Sequence, residues 1–202
     1  MKTLFLSSTF SMVTDKFTAN VPVTSGMTAA FIPTAADMYD SKPWMDADRQ
    51  ALEDMGIIVE DCDIKNMEKE DLYNILKTKD IIFVAGGNTF YLLDWANRCG
   101  LSHILPKLLD EGKIYVGSSA GSVLVGPTIE PVQTFDDPRE APGLTSYIGL
   151  GLIDTVILPH YDSEKYEEQY QAVVQEWSDK VKLQLLQDDE AVLICDGESQ
   201  II

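Results

Sequence analysis

One pattern recurs along the chain and limits the folds open to it: a short apolar run, a turn, and then a segment whose apolar residues have helical spacing. Short apolar runs of this kind are typical of strands buried on both faces, which helices connect into a parallel sheet. The sequence therefore predicts an α/β fold with a mainly parallel central sheet. The candidate strands are Thr3–Leu6, Thr28–Ile32, Gly56–Cys62, Asp80–Ala85, Ile114–Gly117, Thr155–Pro159, Leu183–Leu186, Ala191–Cys195 and Ser199–Ile202.

The segments between these strands carry signals for helix starts and ends. Proline is favoured in a first helical turn, so Pro43 predicts a helix that runs to Gly56. The last two strands flank a turn at Gly197 and are expected to pair as a hairpin at one edge of the sheet. No linker-like tract divides the chain, so we expect residues 1–202 to form a single domain. The other predicted helices are Met67–Thr78 capped by Asn66, a helix that opens at Thr89, Ser102–Glu111 and Glu164–Asp179.

The charge of the chain excludes one class of partner. Fifteen Lys and Arg residues against 33 Asp and Glu residues leave a formal net charge of -18 and a pI of about 4.2. A surface of this charge repels phosphate backbones, so we expect no nucleic-acid partner. No window approaches the ~18 consecutive apolar residues of a membrane span, so we expect no membrane partner either.

Cysteine and histidine are scarce in this chain. Cys62, Cys99 and Cys195 form no C-x-x-C pair, and their odd number fits small buried thiols in a reducing cytoplasm. Polar residues interrupt the N-terminal apolar stretch at once, which favours a first strand over a signal peptide. Two histidines without a Cys/His cluster offer almost no ligands for zinc, so we expect neither a metal nor a cofactor. The sequence therefore predicts a cytoplasmic protein.

The strongest chemical signal lies in Ile114–Val125, IYVGSSAGSVLV. A β-rich run enters G-S-S-A-G and a short apolar helix leaves it, as in the strand-to-helix turn that exposes a nucleophilic serine. In that geometry Gly117 and Gly121 avoid clashes, and the Ser119 hydroxyl stands above the carboxyl edge of the sheet. The N–H groups that start the helix would face a developing oxyanion. An anion-binding turn and a purely structural turn remain open as alternatives.

A serine hydroxyl needs a base to remove its proton, and the chain has two histidines. His103 lies in an apolar helical segment, LSHILPKLL, which is typical of a helix surface or core position. His160 closes the run VILP at the carboxyl end of a predicted strand, where open α/β sheets bind their ligands. We therefore expect His160 to be the base, with a structural histidine as the alternative.

A carboxylate is needed to orient the imidazole and to stabilise its charged form. The acidic run 188–190 lies between two predicted strands, at a strand end, although such runs are also typical of solvated turns. Asp162 is close to His160 in sequence, but its side chain would point away if the backbone continued extended. The residues alone leave the third member open.

Two glycines follow the fourth predicted strand and lead directly into a helix. Glycine lets the backbone approach a ligand closely, and a helix start offers unpaired N–H donors. In an acyl-transfer site the loop Gly86–Thr89 would supply one oxyanion donor and the N–H of Ala120 the other. A tight turn capped by Asn88 or Thr89 explains the same residues, and the two interpretations are compatible.

Together these segments resemble the peptidase E family. The strings AGGNTFYLL, YVGSSAGSVLVGPTI and ILPHYD carry the resemblance, which runs from the first strand to the last hairpin. Members of the family are cytoplasmic serine peptidases that include aspartyl dipeptidases, with cyanophycinases as more distant relatives. The resemblance implies a three-layer sandwich like that of class I glutamine amidotransferases, a flavodoxin-like arrangement.

The resemblance also implies roles for particular residues. Ser119 corresponds to the nucleophile and His160 to the base, and the backbone N–H groups of Gly87 and Ala120 correspond to the oxyanion hole. The third member corresponds to Asp188. The alternative for that member is the adjacent Asp189.

The loop after the nucleophile helix also has a counterpart in the family. Residues 126–150 are rich in turn formers, and long loops of this kind are commonly functional. The resemblance implies a functional acid there, which corresponds to Asp136. We also count Asn88 among the candidate substrate contacts.

The region after His160 departs from the family pattern. Aspartyl dipeptidases carry arginines there that could hold a substrate carboxylate, whereas this chain has YDSEKYEEQY, with Lys165 as its one basic residue. Arginine suits bidentate carboxylate recognition, and an acidic protein needs a local cation to bind an acidic substrate. Of the three arginines in the chain, Arg139 in the segment DDPRE is the best-placed candidate.

The sequence therefore predicts a serine peptidase that hydrolyses short peptides, as a dipeptidase or by releasing N-terminal residues, with a preference for acidic residues as one option. An esterase or amidase on the same frame and a non-enzymatic small-anion-binding protein are the alternatives. The expected partner is a small peptide substrate, and the protein itself is expected to be a monomer or a homodimer.

Overall fold

Strands and helices alternate along residues 2–202, the part of the chain that this computed structural model describes. The strands are β1 (Thr3–Ser7), β2 (Thr28–Ile32), β3 (Ile58–Asp61), β4 (Ile81–Val84), β5 (Ile114–Ser118), β6 (Thr155–Leu158), β7 (Lys182–Leu185), β8 (Ala191–Cys195) and β9 (Glu198–Ile201). The helices are α1 (Thr14–Asn20), α2 (Pro43–Asp54), α3 (Lys69–Leu76), α4 (Thr89–Arg98), α5 (Leu101–Asp110), α6 (Ala120–Leu124) and α7 (Glu167–Trp177).

Seven strands form the central sheet in the order β3-β2-β4-β5-β1-β8-β9. The first five strands in that order are parallel, and β8 and β9 add an antiparallel hairpin at one edge. The predicted α/β fold with a mainly parallel sheet is therefore confirmed, and so is the edge hairpin. The parallel strands are nearly continuous apolar runs because helices cover both faces of the sheet.

Alternate residues of each strand enter one of two separate apolar cores. On one face Phe5, Phe31 and Phe83 pack with residues of α1 and α2. On the other face Leu6 and Val84 pack with residues of α3, α4, α5 and α6. Helices, sheet and helices thus form three layers, as the family resemblance implies.

Strands β6 and β7 do not join the central sheet. They pair with each other as a separate two-stranded parallel sheet, and their apolar residues pack into the same core as α7. The sequence alone does not separate them from the other strands, because a short apolar run is buried equally well in either sheet.

The register of the central sheet brings three distant segments to one edge. Ser7, at the carboxyl end of β1, pairs with Ser118 at the end of β5 on one side. On its other side Ser7 pairs with Ala191, the first residue of the antiparallel β8. Segments that follow β1 and β5, and the segment that precedes β8, therefore meet at the same edge.

Two local features complete the fold. The predicted loop 126–150 contains two short 3-10 turns, Glu130–Thr134 and Pro138–Glu140, and packs Val132 into the core. Helix α3 begins after Glu68, whereas Asn66 takes a left-handed conformation with φ 58°, so the predicted cap at Asn66 was wrong. Across residues 2–202, none of the helices is both long enough and apolar enough to cross a membrane.

Candidate active site

Ser119 occupies a strained turn between β5 and α6. Its φ of 50° and ψ of -111° lie outside the conformations that a serine ordinarily adopts, which is typical of positions held by their surroundings at functional sites. The flanking glycines make the turn possible: a Cβ atom on Gly117 would lie 2.6 Å from the backbone of Gly121, and one on Gly121 would overlap the carbonyl oxygen of Val84. The packing around α6 therefore requires both glycines, and the Ser119 side chain lines a cavity.

His160 meets this serine from the end of β6. Its Nε2 atom lies 3.0 Å from the Ser119 hydroxyl oxygen. The backbone turns sharply at His160, with φ 65°, and its N–H donates to the Ser8 hydroxyl at 3.1 Å. Ser8 in turn donates to the carbonyl oxygen of Leu186 at 3.1 Å, so one buried hydroxyl ties the ends of β1, β6 and β7 together.

The third contact comes from the loop between β7 and β8. An Asp188 carboxylate oxygen lies 2.5 Å from Nδ1 of His160 and also accepts a hydrogen bond from the Thr9 hydroxyl at 3.1 Å. Asp189 is exposed, and its carbonyl oxygen accepts a bond from Lys16. Of the two aspartates that the sequence leaves as candidates, the structure brings Asp188 to the imidazole.

The remaining candidates for the base and the acid, His103 and Asp162, do not join the hydrogen bonds between Ser119, His160 and Asp188. His103 is exposed on α5. The turn at His160 bends the chain back, so the Asp162 side chain accepts a bond from the Asp188 backbone N–H at 3.2 Å and supports the acidic loop. The backbone therefore does not continue extended beyond His160, and Asp162 remains close to the site.

Ala120 directly follows Ser119, and Gly87 lines the same cavity; both carry backbone N–H groups. Among residues 2–202, neither N–H group donates a hydrogen bond within the protein. Gly87 has φ 145°, and a Cβ atom there would overlap the carbonyl oxygen of Ala35. A Cβ atom on the preceding Gly86 would lie 3.0 Å from that of Ser119, so both glycines let this loop approach the serine.

Asn88 does not face the space in front of Ser119. Its side-chain oxygen accepts from the Tyr91 N–H at 2.9 Å and caps α4, while its amide donates to the Asp137 carbonyl oxygen at 3.0 Å. The side chain is buried and both of its ends are used. In this structure Asn88 therefore joins α4 to the 126–150 loop, and it is not among the residues that line the cavity.

Asp136 borders the cavity in front of Ser119, as expected for the loop after α6. Its carboxylate accepts the Thr89 N–H at 2.8 Å, at the start of α4. Burial raises the pKa of this carboxyl, although the Thr89 hydrogen bonds and the nearby His160 act in the opposite direction.

Arg139 does not reach the cavity. Its side chain is 89% exposed and forms an ion pair with Asp137 at 2.7 Å, two residues earlier in the same turn. The guanidinium group beside it holds the pKa of Asp137 at about 2. In this structure the guanidinium group is therefore engaged by a nearer carboxylate and does not line the cavity.

Several residues at the site escaped the sequence-based reasoning. Ser8 and Thr9 directly follow β1, and the rule that ligands bind at carboxyl strand ends could have found them. Asp48 is 1% exposed on α2, and its carboxylate accepts the Ser11 N–H at 2.9 Å. Burial raises the pKa of Asp48. Tyr39 and Trp44 line the same cavity, and no local signal in the sequence marked them.

The cavity in front of Ser119 has a volume of about 440 Å³, within the range of small-molecule sites. Its ionisable lining consists of His160, three aspartates and three tyrosines, without a lysine or arginine from residues 2–202. Over the same residues no group of three or more His, Cys, Asp and Glu side chains could hold a metal ion. The arrangement offers a hydroxyl, an imidazole and a carboxylate in series, beside two free N–H donors.

Residues 4–202 match the sequence model of peptidase family S51. The chain belongs to this family. Family S51 membership makes it a serine-type peptidase, and thus a hydrolase, and it confirms the resemblance to peptidase E.

Two relatives and one solved structure illustrate the S51 membership. The chain is 37% identical to an uncharacterized peptidase of Listeria monocytogenes over 96% of this chain and 95% of the relative. It is 36% identical to Peptidase E of Streptomyces coelicolor over 138 residues, which are 68% of this chain and 52% of that protein. A Listeria monocytogenes crystal structure, provisionally assigned to peptidase E, superposes with a TM-score of 0.94 at 35% identity, covering 100% of this chain and 98% of the other.

Proposed function

We propose that this protein is a serine peptidase that hydrolyses short peptides through Ser119, His160 and Asp188. Two contacts carry the proposal: 3.0 Å from the Ser119 hydroxyl to Nε2 of His160, and 2.5 Å from Nδ1 of His160 to Asp188. A hydroxyl, an imidazole and a carboxylate in series are what general-base activation of a serine requires. Membership of family S51 supports the same class of reaction.

Acylation begins when His160 takes the proton of the Ser119 hydroxyl. The serine oxygen attacks the carbonyl carbon of the scissile bond and forms a tetrahedral intermediate. Asp188 holds the Nδ1–H of the imidazole and stabilises the positive charge that the ring gains. His160 then gives its proton to the leaving amine, the C–N bond breaks, and the acyl group stays on Ser119.

Deacylation repeats these steps with water in place of the serine. His160 takes a proton from water as the water oxygen attacks the acyl carbon, and returns the proton to the Ser119 oxygen as the ester bond breaks. The products are a carboxylic acid and the free serine.

The oxyanion of both intermediates needs donors that are already in place. The N–H groups of Gly87 and Ala120 have no acceptor among the described residues, and both residues line the cavity together with Ser119. Preorganised donors of this kind stabilise charge that develops in the transition state without having to reorient. We therefore assign the oxyanion hole to these two N–H groups.

The size of the cavity favours short peptides. Its volume of about 440 Å³ suits a ligand of a few residues, and side chains from α7 and from the 126–150 loop border it. Tyr170 of α7 also donates its hydroxyl to the Pro159 carbonyl oxygen, next to His160.

Covalent labelling tests the proposal. A fluorophosphonate probe reacts with an activated serine, so wild-type protein should gain one adduct, and peptide mapping should locate it on Ser119. The Ser119→Ala variant should show no adduct. A matched control is Ser118→Ala, because the Ser118 hydroxyl accepts the Phe10 N–H instead of facing the imidazole, so labelling at Ser119 should persist.

Substrate assays separate this proposal from the other functions considered. If the protein is a serine peptidase, the variants that are labelled at Ser119 should also cleave short peptides, and Ser119→Ala should do neither. Turnover of p-nitrophenyl esters without peptide cleavage would indicate an esterase. Absence of both labelling and turnover, together with tight phosphate binding, would contradict the enzyme and favour an anion-binding protein.

A further inference from the structure

The fixed charges in the cavity are almost all negative. Its lining contains the carboxylates of Asp48, Asp136 and Asp188, and the one basic group there is the imidazole of His160. Asp188 is engaged with that imidazole, and Asp48 accepts the Ser11 N–H in the protein interior. Asp136 is thus the carboxylate at the cavity that neither the proposed reaction nor the buried core accounts for.

The three arginines of the chain are all bound to acids elsewhere. Arg49 pairs with Asp61 and lies over the ring of Phe31, with its guanidinium carbon 4.5 Å from the ring centre. Arg98 pairs with Asp94 at 2.8 Å. Arg139 pairs with Asp137, as described above. No arginine of the described chain is therefore placed to receive a substrate carboxylate.

Lys42, Lys65 and Lys165 do not supply the missing cation either. Lys65 and Lys42 both approach the carboxylate of Asp37, at 2.5 Å and 4.0 Å, on the loop before Tyr39. Lys165 is exposed and lies over the ring of Tyr166, with its nitrogen 4.7 Å from the ring centre. None of these lysines lines the cavity.

Asp136 is half-buried, and the groups that hydrogen-bond to it all belong to Thr89. Its negative charge also acts on Tyr39: after burial, Asp136 is the strongest influence that raises the pKa of the Tyr39 hydroxyl. Burial desolvates this carboxylate, and neither a lysine nor an arginine lies among the described lining residues to compensate it; the one nearby basic group is His160. A cationic group in the cavity would provide the compensating charge.

The walls of the cavity suit a cation as well. Tyr39, Trp44, Phe135, Tyr166 and Tyr170 contribute aromatic side chains to the lining. Aromatic faces attract ammonium and guanidinium groups, and the attraction grows when water is excluded. Among the described lining residues, no lysine or arginine would neutralise an added carboxylate.

From this arrangement we infer that the cavity selects peptides which place a positively charged amine beside Asp136, and that it disfavours acidic residues. The inference rests on the proposed peptidase function and names its substrate class. The amine comes from the peptide N-terminus or from a lysine or arginine side chain next to the scissile bond, since either group has the required charge.

A matched peptide series tests the inference. The substrates are Lys-, Ala-, Asn- and Asp-containing dipeptides of one design, each with a free and with an acetylated N-terminus. We expect kcat/KM for the Asp peptide to be at least about tenfold below that for the isosteric Asn peptide. If acetylation lowers kcat/KM for all the peptides, the amine is the N-terminus. If the acetylated Lys peptide has a higher kcat/KM than the acetylated Ala peptide, the amine is the side chain. A preference for Asp over Asn would overturn the inference.

The Asp136→Asn variant tests the role of the carboxylate. The amide oxygen can still accept the Thr89 N–H, so the loop should keep its place. We expect KM for the cationic substrate to rise about tenfold or more, with little change for a neutral acetylated peptide. An equal loss for both substrates would overturn the inference, because Asp136 would then only position the loop. Arg139→Ala is the control and should leave the Asp-to-Asn ratio unchanged.

Equilibrium binding keeps this test independent of catalysis. The Ser119→Ala variant should bind Lys-Ala more tightly than Asp-Ala, as isothermal titration calorimetry would measure. Such binding without fluorophosphonate labelling of the wild type would contradict the proposed function and support the inference. Labelling together with tighter binding of Asp-Ala would support the function and overturn the inference.

Discussion

The carboxylate of Asp188 lies 2.5 Å from Nδ1 of His160, although 28 positions of sequence separate the two residues. They come from different loops, one after β6 and one between β7 and β8. The Leu186 N–H donates to the Leu158 carbonyl oxygen at 2.9 Å, and the Tyr161 N–H donates to the Leu186 carbonyl oxygen at 2.9 Å. The pairing of β6 with β7 thus continues beyond the strands and brings the acid to the imidazole.

Exchange of this carboxylate for an amide should remove most of the activity. We expect Asp188→Asn to lower kcat by about 10³–10⁴-fold, because the imidazole loses the partner that fixes its tautomer and stabilises its charge. Asp189→Asn is the matched control and should stay within about twofold of wild type, since Asp189 is exposed. Steady-state kinetics on one short peptide compares them. Equal losses in the two variants would contradict the assignment of Asp188.

The hydroxyl of Thr9 supports the same carboxylate from the end of β1. Thr9→Val removes the hydrogen bond to Asp188 and keeps the shape of the side chain. A hydrogen bond to a charged group contributes about 1.5–3 kcal/mol, so kcat should fall by roughly ten- to 150-fold while KM stays nearly constant. Thr18→Val is the control, because that hydroxyl bonds to the backbone of its own helix. An unchanged kcat in Thr9→Val would show that Asp188 needs no such support.

Gly87 should be irreplaceable for steric reasons. An alanine there would overlap the carbonyl oxygen of Ala35 at a φ of 145°, so we expect Gly87→Ala to lower the free energy of unfolding by at least about 2 kcal/mol. Gly112 also has a positive φ, 87°, but open space around it, so Gly112→Ala should cost only about 1–2 kcal/mol of backbone strain. Urea denaturation measures both changes. A smaller loss at Gly87 than at Gly112 would contradict the packing described here.

Asp48 should make stability depend on pH. Burial raises its pKa in the folded state, so the folded protein binds the proton more tightly than the unfolded chain does. Stability should therefore fall as pH rises from the unfolded pKa of 3.8 through the raised folded value. Asp48→Asn has no carboxyl to ionise, so it should avoid this fall in stability. For each kcal/mol of unfolding free energy that it regains at pH 7, Tm should rise by about 2–4 °C.

The gain from Asp48→Asn should shrink as the pH falls through the raised folded pKa of Asp48, because the native carboxyl then takes up its proton. Asp46→Asn provides the control, because Asp46 lies exposed in the first turn of the same helix and should give no gain. Thermal melts of the three proteins at several pH values measure the difference. A gain of the same size at pH 4 and at pH 7 would contradict a buried, ionised Asp48.

Local signals in the sequence determined the class of fold and the turn that holds Ser119. The apolar runs predict buried parallel strands because each strand must be covered on both faces. The glycines at 117 and 121 predict the tight turn because a side chain at either position would meet backbone atoms. The scarcity of histidine reduced the search for a partner of Ser119 to two residues, and a strand end distinguished His160 from His103.

Only the tertiary structure decided between Asp188 and Asp189, removed Arg139 and Asn88 from the cavity, and added Asp48, Ser8 and Thr9 to its surroundings. Adjacent aspartates look alike in a sequence, and their directions depend on the sharp turn at His160 and on the β6–β7 pairing. Arg139 is bound by the carboxylate of Asp137, two residues before it. Nothing in the sequence shows that these two neighbours pair with each other, apart from their being close together. The charges that gather around a cavity come from segments far apart in sequence, so the substrate that such a site favours depends on how the chain is folded.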